Sequence, residues 1–216
     1  DETASQDQDV MRSVAFSNSK DDPDISDRTV TFSMGTRLPS DSTGHYYEYI
    51  DKTGSDGITW SNANSSANSK SYFGLQGYLV TVTSQAENDF VEQKLAGDGW
   101  LGASDDTSFS YISENASGYD RWYWVTGPEK GTHFWTGDDE DLSTLGGISC
   151  SGEPCGDLVD GEYANWADNE PNDYDGVDGN ENYAHFYHDA SGTWNDFPKD
   201  NTVDGYVVEY GGLSNR

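Results

Sequence analysis

The sequence predicts an α+β fold in which two early helices are followed by short strands and long loops. Helix signals are confined to the first half of the chain, where Thr59 and Ser84 stand at N-cap positions. Strand-like runs rich in aromatic and β-branched residues occur on both sides of these helices, and Gly- and Asp-rich connections separate the later runs. The longest apolar stretches are strand-sized, so none would span a bilayer.

The composition predicts a folded, acidic protein whose natural partners are cations. The 216 residues are enough for one main domain with a modest flanking segment. Eleven Lys and Arg against 40 Asp and Glu give a net charge of −29, which disfavours nucleic acid and anionic lipid as partners. Fourteen Tyr, 8 Phe and 7 Trp supply far more aromatic surface than disordered chains carry.

The elements are predicted in the following order. Residues 1–40 form a polar flanking segment with one alternating strand at 28–34, which either joins the main domain or belongs to the edge of a neighbouring module. The main domain, residues 41–216, begins with a strand at 45–50 and a helix at about 60–69. A strand at 77–82 leads to a second helix, opened by the S-x-x-E capping box of Ser84 and Glu87 and continuing to about Leu95.

The second half of the main domain is predicted to contain strands separated by long connections. The strands are expected at 121–125, 182–188 and 203–210. The stretch from about 136 to 165 is predicted to be a long irregular loop, which is functional, disordered or organised around an ion. The two cysteines, Cys150 and Cys155, lie in this stretch, where a small local disulfide is favoured over two free thiols. Their spacing argues against a zinc site.

A cluster of oxygen-bearing residues near the C-terminus indicates a calcium site. Glu170-Pro171-Asn172 is followed by Glu181 and then by Trp194-Asn195-Asp196. Ca²⁺ prefers six to eight oxygen ligands, and Glu170, Asn172, Glu181, Asn195 and Asp196 would supply three carboxylates and two amide carbonyls. Positions left open on the ion suit the vicinal diol of a sugar. A lone Glu-Pro-Asn is a common turn, so the prediction rests on the complete set.

The order of these motifs resembles the C-type lectin-like domain over roughly residues 41–212. The matching segments are Gly77-Tyr78-Leu79-Val80-Thr81-Val82, Ser84 to Asn88, Trp100-Leu101-Gly102, Trp122-Tyr123-Trp124, Asn165-Trp166, Glu170-Pro171-Asn172, Trp194-Asn195-Asp196 and Tyr206-Val207-Val208-Glu209. The resemblance implies two helices flanking small antiparallel sheets, with a long loop region that carries calcium and ligand. Tyr183 stands where animal members have a cysteine, and such cysteine-poor versions look like the lectin modules of bacterial surface proteins, including large repeat-in-toxin adhesins.

The resemblance also implies roles for the site residues. It implies a cis peptide bond before Pro171, which turns the flanking side chains towards one ion. Glu170, Asn172, Glu181 and Asn195 would bind both Ca²⁺ and sugar hydroxyls, and Asp196 would complete the shell around the ion. The order Glu-Pro-Asn resembles members that select mannose, fucose, glucose or N-acetylglucosamine over galactose. We expect monosaccharide affinity of about millimolar order, near −4 kcal/mol.

Two further sets of residues are expected around this site. Candidate sugar contacts from neighbouring loops are Tyr174, Val177, His185, Tyr187 and Phe197. An auxiliary ion is expected near Asp105, Asp173 and Asn182, with Glu114 close to the same region in the family's arrangement.

These observations predict a calcium-dependent carbohydrate-binding module of an extracellular, bacterial surface adhesin, one module of a larger protein that binds cell-surface glycans. No G-x-S-x-G, H-E-x-x-H or Walker motif occurs, and calcium would keep its carboxylates ionised, so the sequence predicts no enzyme. One alternative is a protein- or ice-binding domain on a lectin scaffold with calcium in a structural role. Another is a spacer in which calcium only rigidifies the loops.

Overall fold

The computed structural model describes residues 38–39, 43–112, 121–137, 150, 152–174, 180–188 and 192–211. The chain divides into two compact units, Asp1–Gly35 and Thr36–Arg216, and every described residue belongs to the second. The strand predicted at 28–34 lies outside the described residues, as do Glu114 and Val177. The predicted boundary at residue 40 therefore stays a prediction.

Two helices lie where the sequence predicts them. Helix α1 spans Trp60–Asn68 and helix α2 spans Gln85–Glu92. Helix α2 ends before Leu95, contrary to the prediction, because the backbone N–H of Leu95 donates to Glu92 O in a tighter turn. Leu95 is nevertheless buried in the core. In the described residues, neither helix nor any other helical segment has the length and apolar character needed to cross a membrane.

The helix caps differ from the predicted pattern in one respect each. Thr59 precedes α1 in an extended conformation, but its side chain makes no capping hydrogen bond. Ser84 Oγ accepts a hydrogen bond from the backbone N–H of Glu87, as predicted for α2. The Glu87 carboxylate does not return to Ser84, because it accepts hydrogen bonds from Thr83 N and from the Tyr47 hydroxyl, at 2.8 and 2.6 Å. The second hydrogen bond of the capping box is therefore replaced by a hydrogen bond between Glu87 and the buried Tyr47.

A short 3-10 helix at Thr53–Ser55 and eleven strands complete the secondary structure of the described residues. The strands are β1 Leu38–Pro39, β2 Tyr46–Asp51, β3 Ser71–Tyr72, β4 Leu75–Leu79, β5 Gly99–Ser104, β6 Arg121–Trp124, β7 His133–Thr136, β8 Asp157–Leu158, β9 Tyr183–Phe186, β10 Trp194–Phe197 and β11 Gly205–Tyr210. Strand β8 lies inside the stretch that was predicted to be irregular, where it pairs with β7.

The strands are connected into one sheet with the order β1-β2-β11-β5-β6-β7-β8, to which β3, β4, β9 and β10 are attached. Strand β11 is antiparallel to β2 and β4 and parallel to β5. The small antiparallel sheets expected from the resemblance are thus joined through β11 and include one parallel pair. All six residues of β11 are buried, which suits a strand with neighbours on both sides.

Aromatic side chains hold the core together. Trp194 is fully buried, and its ring packs edge to face against those of Trp124, Phe134 and Trp166. Each such pair contributes about 0.5–1.5 kcal/mol beyond simple area burial. The Trp194 indole N–H also donates to Asn88 Oδ1 in α2, at 3.0 Å. Because Trp194 directly precedes Asn195, this packing fixes the part of β10 that carries two of the predicted ligands.

Candidate functional site

Three segments bring the predicted ligands together. Asn195 and Asp196 lie within β10, whose antiparallel partner β9 begins two residues after Glu181. The loop that carries Glu170 and Asn172 begins next to β10, where Trp166 and Trp194 form a parallel bridge. Backbone hydrogen bonds on both sides of this bridge keep the loop against the strand. All three segments therefore meet at one edge of the β9–β10 pair.

Asp196 is the centre of this arrangement. Its side chain is only 2% exposed, and its carboxylate accepts hydrogen bonds from the backbone N–H groups of Asn172 and Asp173 at 2.8–3.1 Å. These bonds tie the Glu170-Pro171-Asn172 loop to β10. The peptide bond between Glu170 and Pro171 is cis, as predicted.

Asp173 makes a second tie, between the loop and the segment before β9. Its Oδ1 atom accepts hydrogen bonds from the backbone N–H groups of Asn180 and Glu181, at 3.1 and 2.9 Å. In return, Glu181 Oε2 accepts a hydrogen bond of 2.6 Å from the backbone N–H of Tyr174. Asp173 was predicted as an auxiliary ligand, and its Oδ1 atom organises the backbone of the principal site. The other members of that set, Asp105 and Asn182, are neighbours on adjacent backbones.

Two oxygen atoms of the loop are buried and lack a hydrogen-bond donor among the described residues. They are Glu170 Oε2 and Asn172 Oδ1. A buried acceptor without a partner costs about 1–3 kcal/mol, so such atoms normally have a partner of some kind. Both belong to residues that the sequence predicts as calcium ligands, and a hard cation would satisfy both.

Burial raises the pKa values of two acidic groups of the site, Glu170 and Asp196. Burial, the charge of Asp196 and a hydrogen bond with its carboxylate raise the pKa of Glu170 to about 9, and the charge of Glu181 acts in the same direction. Burial raises the pKa of Asp196 to about 6, against the opposing effect of its backbone N–H donors. At neutral pH the metal-free site therefore holds Glu170 protonated, with its hydroxyl available to donate to Asp196.

The orientation of the Asn195 amide is set by two acceptors. Its Nδ2 atom donates to Asp196 O at 2.5 Å and lies 3.1 Å from His185 Nε2. His185 Nδ1 lies 3.0 Å from Phe186 O, so the ring proton belongs on Nδ1 and Nε2 is the acceptor. Burial lowers the pKa of His185, which keeps the ring neutral. The Asn195 Oδ1 atom consequently points away from both partners and remains available as a ligand.

The residues that meet here are of the chemical types that Ca²⁺ prefers as ligands. No group of three or more His, Cys, Asp and Glu side chains is arranged as a metal cluster within the described part of the chain, so the set depends on amide oxygens as well. Carboxylates and amide carbonyls from Glu170, Asn172 and Asn195 are ligands that Ca²⁺ accepts. A divalent cation would also offset the burial that raises the pKa values of Glu170 and Asp196, and the negative charge of Asp196 that disfavours ionisation of Glu170.

The predicted sugar contacts differ widely in accessibility. Tyr174 follows the ligand loop and is 68% exposed. His185 is buried behind Asn195, so its prediction as a direct sugar contact is wrong; it supports a ligand residue instead. Tyr187 and Phe197 are half-buried, and their rings pack edge to face against His185.

Sequence reasoning also missed a residue that directly precedes the ligand loop. Asn169 has a left-handed backbone conformation with φ of 66°, and its side chain accepts a hydrogen bond from the backbone N–H of Gly152. The asparagine itself was the signal in the sequence, because Asn tolerates the left-handed backbone conformation better than most residues.

The predicted disulfide between Cys150 and Cys155 is present.

Comparisons with known proteins identify the fold. The EPNH mutant of CEL-I, a C-type lectin from Cucumaria echinata, matches with 20% identity over 84% of this chain and 99% of its own, at a TM-score of 0.50. The carbohydrate-recognition domain of cow CD23, with a GlcNAc2Man3 oligosaccharide, matches with 19% identity over 86% and 100% of the two chains, at 0.47. A calcium-independent type II antifreeze protein matches with 14% identity over 87% and 100%, at 0.49.

A sequence relative is known as well. The chain is 37% identical over 217 residues to Halomucin from Haloquadratum walsbyi, a match that covers 98% of this chain and 2% of that protein. The chain thus spans a small part of its relative's length. No family model matches it. The chain has a C-type lectin-like α+β fold.

Proposed function

We propose that this chain, with its C-type lectin-like fold, is a non-catalytic module that binds carbohydrate through a coordinated calcium ion. The observation that carries the proposal is the pair of buried acceptor atoms without a donor, Glu170 Oε2 and Asn172 Oδ1. Both belong to the loop that Asp196 holds in position, because its carboxylate accepts hydrogen bonds from the backbone N–H groups of Asn172 and Asp173. An ordinary turn would leave such atoms in solvent or pair them with donors.

The ion would be held by residues of all three segments, namely Glu170, Asn172, Glu181, Asn195 and Asp196. When bound, calcium would supply open coordination positions for two adjacent hydroxyl groups. The chain's own residues would then complete the recognition of the diol. The Glu170 and Glu181 carboxylates would accept hydrogen bonds from the hydroxyls, and the Asn172 amide would donate to them. The two N–H groups of Asn195, predicted to bind sugar as well, already face Asp196 O and His185 Nε2, so Asn195 would contribute its Oδ1 atom to the ion.

The order of acceptor and donor along the loop underlies the proposed sugar preference. Glu170 provides the acceptor and Asn172 the donor, which is the arrangement expected for fucose-, mannose- and glucose-type diols. Tyr174 supports an extended contact, because its ring is exposed immediately beyond the loop. A ring in that position would cover an apolar face of a bound sugar.

The proposal includes a surface or secreted location within a larger protein. The sequence match to Halomucin, of which the chain spans 2%, supports a modular context. A net charge of −29 suits an exposed, soluble module with cationic partners. We propose that it attaches cells to glycans, as expected for a surface adhesin; its bacterial origin and repeat-in-toxin context stay predictions. A shallow monosaccharide site would need several copies or a longer glycan for firm attachment.

The first test is glycan-array binding of the labelled domain in millimolar Ca²⁺ and again in EDTA. We expect selective signals on fucose-, mannose- or glucose-type glycans that disappear in EDTA. Glu170→Gln should abolish them, while Asp160→Asn, which removes an exposed carboxylate elsewhere, should leave them unchanged.

A paired substitution tests the sugar preference separately. Glu170→Gln combined with Asn172→Asp preserves the numbers of carboxylates and amides but reverses the order of acceptor and donor. We expect selectivity to move towards galactose-type diols while calcium affinity changes little. Absence of any calcium-dependent glycan signal, together with a silent Glu170→Ala, would reject the lectin function in favour of the protein- or ice-binding alternative.

A further inference from the structure

We propose that the disulfide-closed loop between Cys150 and Cys155 is a clamp that positions Glu170 for calcium. This inference rests on the proposed function, because it assigns a positioning role towards the same site. The clamp consists of the described residues of the loop, Cys150 and Gly152 to Cys155. It forms hydrogen bonds with the segment that carries the proposed calcium ligand Glu170. None of its side chains belongs to the proposed ligand set.

Three hydrogen bonds join the clamp to two consecutive residues of the ligand loop. The backbone N–H of Cys155 donates to Glu170 O at 2.8 Å, and the backbone N–H of Asn169 donates to Glu153 O at 2.9 Å. The backbone N–H of Gly152 donates to Asn169 Oδ1 at 3.1 Å. The clamp thus holds the backbone N–H and the side chain of Asn169 and the backbone carbonyl of Glu170.

One end of the clamp is anchored in the core. Cys155 is fully buried, and its carbonyl accepts a hydrogen bond of 3.0 Å from the Trp135 indole N–H. The next residue, Gly156, has φ of +123°, and a Cβ atom there would lie 2.2 Å from Thr136 O. Close packing at Gly156 therefore presses this end of the clamp against β7, and Asp157 continues it as β8.

The disulfide connects Cys150 to that anchored end. Cross-linking two points of a short loop restricts the conformations of the residues between them. Gly152 and Glu153 are exposed, so packing alone does not hold them against Asn169. Without the covalent bond, their two hydrogen bonds to Asn169 would compete with water.

The mechanical consequence concerns the carboxylate of Glu170. Asn169 adopts a left-handed backbone conformation, which is sparsely populated for a residue other than glycine. Its two hydrogen bonds to the clamp stabilise that conformation and so fix the direction in which the chain enters Glu170. Release of the clamp would let Glu170 move away from Asp196 and would impair calcium binding without unfolding the domain.

The test compares the wild type with three variants: Cys150→Ser combined with Cys155→Ser, Asn169→Gly, and Asn169→Asp. Asn169→Gly retains the disulfide and tolerates positive φ but removes the acceptor for Gly152. Amide hydrogen exchange of Asn169 and Gly152 is measured in the calcium-free proteins, and calcium affinity is measured by titration calorimetry. Asn169→Asp, which keeps an acceptor at the same position, is the conservative control and should restore protection of the Gly152 amide.

We expect the cysteine double variant to exchange the Asn169 amide at least tenfold faster than the wild type. We expect its calcium affinity to fall by about 10- to 100-fold, the usual effect of losing residues that support metal ligands. The melting temperature of the calcium-free domain should change far less than on disruption of the core. Asn169→Gly should lose protection of Gly152 and lie between the wild type and the double variant in calcium affinity.

Two results would overturn the clamp. Unchanged exchange of Asn169 in the double variant would mean that the disulfide does not hold this backbone. Faster exchange with unchanged calcium affinity would mean that it holds the backbone without positioning Glu170. A wild-type protein that binds no calcium would reject the proposed function itself and the positioning role with it, and the wild-type titration distinguishes this case from the other two.

Discussion

Calcium binding at pH 7 should release one proton from Glu170. In the metal-free protein the pKa of Glu170 is raised to about 9, whereas that of Asp196 is raised to about 6. Between these two values Asp196 is ionised and Glu170 is not. Because calcium needs both groups as carboxylates, binding in this pH range must displace the Glu170 proton.

The magnitude follows from proton linkage. One proton released per ion makes calcium affinity rise about tenfold for each pH unit between about 6 and 9. Below pH 6 the slope should steepen towards two protons as Asp196 also becomes protonated, and above pH 9 it should flatten. Titration calorimetry in buffers with different enthalpies of ionisation, such as PIPES, HEPES and Tris, measures the proton count directly.

Glu170→Gln is the matched control for this prediction. Glutamine keeps the shape and can donate to Asp196, but it does not titrate, so the proton release at pH 7 should disappear along with most of the calcium affinity. Calcium binding by the wild type with no proton release and constant affinity from pH 6 to 8 would refute the assignment of a protonated Glu170.

The same linkage predicts the stability of the metal-free protein. A carboxyl group whose pKa is raised on folding contributes fully below its unfolded value of 4.5, and that contribution is lost as the pH rises towards 9. At pH 7, about 2.5 pH units above 4.5, the loss amounts to about 3 kcal/mol at about 1.4 kcal/mol per unit. Metal-free Glu170→Gln should therefore be more stable than the wild type at pH 7 and about equal to it at pH 4. Chemical denaturation in EDTA at the two pH values measures this difference.

Three further predictions test the core, the support of a ligand and the surface charge. Gly102→Ala should destabilise the domain by about 1–3 kcal/mol in urea denaturation, because its Cβ would lie 1.8 Å from Thr126 Oγ1; a neutral result would contradict the packing around β5. His185→Phe keeps ring volume but removes the acceptor for the Asn195 amide, so calorimetry should show calcium affinity lowered about tenfold, and unchanged affinity would exclude this support. Raising NaCl from 0.01 to 1 M shortens the screening length from about 30 to about 3 Å and should raise the melting temperature of a chain with net charge −29, whereas a temperature independent of salt would count against self-repulsion.

Local patterns predicted those features whose physical cause is local. The N-cap residues Thr59 and Ser84 located the two helices, because capping signals depend on residues only a few positions apart. The spacing of Cys150 and Cys155 predicted their disulfide, and the resemblance of the Glu170-Pro171 motif predicted the cis peptide bond.

Features that depend on pairing between distant segments were not predicted. Strand β8 consists of two exposed residues, which are too few to show an alternating pattern in the sequence. It forms because its backbone pairs with that of β7. In the sequence, His185 could not be distinguished from a ring that contacts the sugar. Only the structure shows that it is buried beside Asn195 and supports that residue. Helix α2 was predicted to continue to about Leu95. It ends at Glu92, where the backbone changes to the tighter hydrogen bond from Leu95 N–H to Glu92 O, and Leu95 is still buried.

The sequence by itself determined the residue types and order of the candidate site, because oxygen ligands and their spacing are chemical properties of the chain. Tertiary structure alone decided the electrostatics. Glu170 and Asp196 are 26 positions apart in the sequence. Folding buries both side chains, which raises both pKa values, and brings Asp196 beside Glu170, which raises the pKa of Glu170 further. Likewise, nothing local connects Asn169 to Gly152, and their hydrogen bond arises where the disulfide loop meets the ligand loop. Charge coupling and burial depend on distance through space, which a linear sequence does not contain.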